Sequence, residues 1–168
     1  MVARRRRQYP VDFGFTSTYV ETIEDAAVEE AARRFLTPLR FSGLVEIEFK
    51  YDVRDGRYKL LDVNSRPWTW IGLGAAAGVD FPWIQWRLAR GEPVAPSRGR
   101  AGVAWSHASR DIVSAAQQII GGVLPLRAYL TSTPQATTFA AFAKDDPLPG
   151  VVDLPVLIAR ILRRRFGR

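Results

Sequence analysis

Cysteine is missing from this chain of 168 residues, and histidine occurs once, at His107. The first absence excludes a disulfide scaffold, a thiolate zinc site and a cysteine nucleophile. The second excludes a polyhistidine metal centre and a histidine-rich acid–base site. Long apolar runs are also lacking. Ile71–Val79 (IGLGAAAGV) is far shorter than the ~20 residues that span a bilayer, and most of it is Gly and Ala. No apolar run follows Arg4–Arg7, so neither a secretory signal nor a membrane partner is expected, and a cytoplasmic location is. Hydrophobic residues still make up 47% of the chain and charged residues 24%, enough apolar surface for one ordinary folded domain. Chemistry here must run on carboxylates, Asn, Arg, Lys and hydroxyls.

Lysine is scarce, so the net charge of +7 is almost entirely arginine. Eight of the 24 basic residues are Arg4–Arg7, Arg163, Arg164, Arg165 and Arg168; without them 16 remain against 17 acidic ones. The excess therefore sits at the two ends, where runs of like charge read as solvated tails. A domain that binds nucleic acid spreads its basic residues over a face or along a helix. The tails argue against a nucleic-acid partner, and a basic-tailed binding module stays as the alternative reading.

Tyr9–Tyr19 reads as extended chain, followed by a helix that Thr22 would cap with Asp25 three residues on. Val28, Ala31, Ala32, Phe35 and Leu36 form one helical stripe, and Pro38 ends it. Asp80 and Pro82 open a short helix that closes near Gly91. The stretch 92–102 is a loop, and another helix runs from about Ser109 to Ile120. Asp153 would cap a last helix carrying Leu154, Leu157, Ile158, Ile161 and Leu162. His107 beside Trp105 is expected to pack or face solvent; Ser17 and Thr18 could touch substrate, but such short polar runs near strands are usually turns. Trp68, Trp70, Trp83 and Trp86 are expected in the core or at an interface between lobes.

Residues 44–64 alternate as a β-hairpin around Asp55-Gly56. A two-residue turn would set Glu48 against Val63 and bury neither face cleanly. A three-residue loop, Arg54–Gly56 with Gly56 left-handed, sets Glu48 against Asp62 and Glu46 against Asn64. Val45, Ile47 and Phe49 then share a face with Leu61 and Val63, and this second register is the one the pattern selects. It gathers Glu46, Glu48, Asp62 and Asn64 on the other face, although like charges directly opposed destabilise a strand pair. Two readings of that face are open on spacing alone. One is a hydrated polar side; the other is a set of hard oxygen ligands for Mg²⁺ or Mn²⁺, with Arg66 placed to meet phosphoryl charge.

The segment Gly43–Arg66, GLVEIEFKYDVRDGRYKLLDVNSR, resembles the second half of the ATP-grasp domain. Glu48 before Phe49 matches one element of that signature, and Asp62, Asn64 and Arg66 in LDVNSR match the other. The family usually has Glu where Asp62 stands. Wider similarity, through RQYPVDFGFTSTYVET, SRPWTW, AAGVDFPW and DDPLPG, is to carboxylate–amine ligases of actinobacterial type.

The resemblance implies an α+β fold: the second lobe of an ATP-grasp domain in 1–91, an antiparallel sheet with flanking helices, and a helical extension in 92–168. It implies ATP and Mg²⁺ or Mn²⁺ as cofactors. Glu48, Asp62 and Asn64 would hold the metal and, with Arg66, the nucleotide phosphates; Arg66 would be the catalytic residue. Glu46 and Lys50 fall outside the shared signature and would orient substrate or balance charge. The reaction implied is activation of a carboxylate as an acylphosphate for attack by an amine, both substrates unidentified. A Gly-rich phosphate loop is not found before Tyr9, and Lys50, Lys59 and Lys144 are the only lysines. The expectation is thus a truncated or split ligase that needs a separately encoded N-terminal lobe and is inactive alone, or a nonfunctional remnant.

Overall fold

β-Branched and aromatic residues crowd the segment TSTYV, and it forms most of β2 (Thr16–Ile23), six of whose eight residues are buried. The computed structural model describes residues 1–12 and 14–166. β2 pairs antiparallel with β1 (Val2–Tyr9) on one side and with β5 (Ala104–Ser106) on the other, and β6 (Ala136–Phe139) runs parallel to β5. The sheet order is β1-β2-β5-β6, and the hairpin strands β3 (Glu46–Asp52) and β4 (Arg57–Asn64) form a separate pair. Helices α1 (Ala26–Leu36), α2 (Gly72–Ala77), α3 (Phe81–Ala89), α4 (Ala108–Ile120), α5 (Leu126–Ser132) and α6 (Leu148–Phe166) complete the α+β architecture. Val20, Leu73 and Trp105 form the core, with Ala3, Trp70 and Val103 packed against them. The stretch 92–168 joins the same sheet through β5 and β6.

The N-terminal arginines are not a tail. Arg4–Arg7 lie inside β1, and Arg7 is 7% exposed. Its Nε and Nη2 donate to Asp111 Oδ1 and Oδ2 on α4 at 2.8 and 2.7 Å, and Nη1 donates to Ser132 Oγ at 2.7 Å. The guanidinium lies over the Tyr19 ring, 4.3 Å from its centroid. A charge can be buried when a bidentate partner satisfies it this fully. At the other end, the backbone through Arg163, Arg164 and Arg165 continues α6, whereas Arg168 lies outside the described residues.

Two helix starts differ from expectation. Thr22 belongs to β2, where its hydroxyl donates to Val103 O and accepts from Val103 N; Asp25 alone caps α1, Oδ1 accepting from Ala27 N and Val28 N at 3.1 Å each. The strand's pairing with β5 outcompetes the capping box. Asp153 lies within α6, which starts five residues earlier at Leu148-Pro149; its Oδ2 accepts from Ser109 Oγ at 2.5 Å. Proline early in a helix costs little, because the missing N–H has no intrahelical acceptor there. The helix over 108–120 and the Asp80-capped α3 stand where the sequence places them. Trp68 is buried edge-on between Trp70 and Phe81, Trp83 and Trp86 stack in exposed positions, and His107 packs edge-on to Trp105.

Candidate functional site

The hairpin builds the site, and its register is compound. Next to the loop, Asp52 pairs with Arg57, Tyr51 with Tyr58 and Phe49 with Leu60, so the connection has four residues, Val53–Gly56, not three. Asp52 holds that loop: its backbone oxygen accepts from Gly56 N at 2.9 Å and its Oδ1 from Arg54 N at 3.0 Å. Gly56 is left-handed, φ 68°. Carried through, this register would set Glu48 against Leu61 and Asp62 against Ile47. A bulge at Leu61 prevents that. Beyond it Glu48 opposes Asp62, Ile47 opposes Val63 and Glu46 opposes Asn64, as the alternation requires. The extra residue returns the carboxylates to one face.

Several interactions balance the charge there. Asn64 Nδ2 donates to Asp62 Oδ2 at 2.9 Å and to Glu46 Oε2 at 3.3 Å, while Val63 N donates to Asp62 Oδ1 at 2.9 Å. Burial and the neighbouring Glu48 push the Glu46 carboxyl above its ordinary pKa, against the pull of Arg5 and the Asn64 hydrogen bond. Arg5 crosses from β1 to Glu48, Nη2 to Oε1 2.8 Å, and its Nη1 donates to Gly14 O at 3.1 Å. Gly14 is left-handed, φ 60°, which favours glycine there.

Hairpin, Gly14 loop and the Arg66–Trp70 segment enclose a cleft of about 190 Å³. Glu46, Glu48, Asp62, Asn64 and Arg66 all line it; Lys50 does not, being paired with Lys59 farther toward the loop. Arg66 is exposed, and its Nη1 donates to Pro67 O at 3.3 Å. Among the described residues no group of three or more acidic or histidine side chains is placed to hold a metal ion unaided. Other residues on the wall were not read as site residues from the sequence, Arg5, Thr16 and Trp68 among them. For Arg5 the available signal was strand alternation, because 5 and 7 turn inward while 4 and 6 face out. Four identical residues in a row hide it.

Searches of the curated proteins and of the solved structures find no match to this chain. The family model described as "ATP-grasp in the biosynthetic pathway with Ter operon" matches residues 1–110. That span covers the hairpin, the Gly14 loop and the Arg66–Trp70 wall, so match and cleft coincide. The chain belongs to the ATP-grasp family, whose members bind ATP for ligase-type reactions.

Proposed function

We propose that the cleft is the metal- and phosphate-facing half of a nucleotide site in a ligase that joins a carboxylate to an amine. The observation that carries this reading is the bulge-set opposition of Glu48 and Asp62, with Asn64 beside them, on a cleft wall that also bears Arg66. Hard oxygen donors of this kind suit Mg²⁺ or Mn²⁺. Mg²⁺ characteristically takes one or two carboxylates and completes its shell with water and substrate phosphates, which fits a face where no three acids converge. Glu48, Asp62 and Asn64 would hold the ion, which when bound neutralises phosphate charge. Arg66 would face the charge that develops on the phosphoryl group.

In the reaction proposed, an oxygen of the substrate carboxylate attacks the γ-phosphorus of ATP and the bond to the bridging oxygen breaks, releasing ADP. The amine nitrogen then attacks the acyl carbon and loses a proton, and the carbon–oxygen bond to phosphate breaks. A companion lobe bearing a Gly-rich flap, in the same or another polypeptide, would cover the nucleotide. A cytoplasmic setting suits a consumer of ATP, and no helix among the described residues is long and apolar enough to cross a membrane. Arg5, Arg6 and Arg7 each face a carboxylate, which takes three of the N-terminal charges from the basic-tail alternative.

Thermal unfolding with Mg²⁺-ATP tests the metal assignment. Ligand at ~100 times its Kd adds about 2.7 kcal/mol, a rise of roughly 5–10 °C for a chain this size. Glu48→Gln and Asp62→Asn should abolish the divalent dependence. Glu92→Gln should not, since Glu92 pairs with Arg87 and Arg90 outside the cleft. With a companion lobe supplied, ADP release should require an added carboxylate, and Arg66→Ala should lower kcat more than nucleotide affinity. Full turnover in Asp62→Asn would sink the assignment.

A further inference from the structure

Two polar groups at the cleft are enclosed and have no hydrogen-bond partner among the described residues: Thr16 Oγ1, at the start of β2, and Trp68 Nε1. Both residues line the cleft, and each is only 8% exposed. Leaving a buried donor unmade costs roughly 1–3 kcal/mol, and native structures pair nearly all such groups. Two orphans on one wall, contributed by segments 52 residues apart in the chain, point to something that binds there. Both can donate a hydrogen bond. The Arg5 guanidinium lines the same cleft, with two of its N–H groups already committed to Glu48 and Gly14 O and others left to give. Donors with a cation select an anionic oxygen. The lining is polar, with Glu46, Glu48, Asp62 and Asn64 beside Arg5, and offers little apolar surface to a long acyl chain.

We propose that Thr16 and Trp68, with Arg5, form the subsite for the carboxylate of the acid substrate, and that this acid is small and polar rather than a long acyl chain. The proposal rests on the ligase reading above, and its test is arranged so that the two can fail separately. In the ¹⁵N-labelled chain the five tryptophans give distinct indole N–H signals, and Trp68→Phe identifies one of them. An NOE from the methyl group of acetate to that indole proton identifies it without any substitution, should the variant not fold. Acetate, titrated without ATP or Mg²⁺, should move the Trp68 indole signal downfield and saturably. Thr16→Val keeps the shape and removes the hydroxyl, and should weaken acetate binding about tenfold, as loss of a hydrogen bond to a charged group does. Decanoate should bind no tighter than acetate. A Trp68 signal that ignores acetate overturns the proposal, as does one that answers only to inorganic phosphate, and tighter binding of decanoate overturns the claim of a small acid. Failure of Mg²⁺-ATP to bind would fall on the ligase reading instead and leave this titration unaffected.

Discussion

Glu46 carries its charge against burial and against Glu48, with Arg5 and Asn64 as partial relief. Its carboxyl is therefore harder to ionise in the folded chain than in the unfolded one. The sign of the linkage follows: above the raised folded value the ionised group opposes folding, and below the ordinary value of 4.5 both states are protonated and the penalty is gone. Glu46→Gln should accordingly stabilise the protein at neutral pH, and the gain should fade as pH falls through that window. Urea denaturation of both proteins at pH ~7 and again at pH ~4 measures it, and a gain that persists undiminished at the lower pH would refute the assignment. Sequence alternation places Glu46 on the carboxylate face. Its titration depends on Arg5, a residue 41 positions away, which no local pattern connects to it.

Within the hairpin, alternation is decisive at one end only. Around Glu46–Glu48 and Asp62–Asn64 a one-residue slip would exchange acids for Ile47 and Val63, so the pattern selects one register. Toward the loop Lys50 faces Lys59 and Tyr51 faces Tyr58, and neither face there is clearly apolar, so the pattern is silent. Local chemistry then decides: Asp52 ties the four-residue loop together through Arg54 N and Gly56 N. Tyr51 and Tyr58 meet edge-on at 5.2 Å, and Tyr58 OH donates to the α1 cap, Asp25 Oδ2, at 2.6 Å. The Leu61 bulge reconciles the two ends, which is why the register at the candidate site was legible and the turn was not. Gly56→Ala places a Cβ in left-handed backbone, at a cost of about 1–2 kcal/mol. We expect a lower Tm by roughly 2–8 °C and unchanged Mg²⁺-ATP affinity in the protein that remains folded. A loss of affinity by calorimetry would mean that the loop, and not the bulge, positions Asp62.

Over the whole molecule the arginine-rich start is part of the framework, and that reverses what the charge run suggests. Runs of like charge are ordinarily solvated. Here Arg5, Arg6 and Arg7 meet Glu48, Glu21 and Asp111, acids spread over the next hundred residues and joined to them only by the fold. β1 is thus an edge strand fastened at three points: to the candidate site, to β2 and to α4. Deleting residues 1–7 should abolish cooperative unfolding, because β2 loses its neighbour and Asp111 is left buried without a counter-charge. Asp111→Ala isolates the last effect: an unpaired buried Arg7 should cost about 3–5 kcal/mol, or roughly 6–20 °C in Tm. Arg7→Met with Asp111→Leu removes both charges, and the double variant should be more stable than Asp111→Ala alone, since the desolvation penalty goes with the pair. Denaturation of the four proteins separates these outcomes. A truncated chain that still melts cooperatively at the parent temperature would return the arginines to the status of a tail.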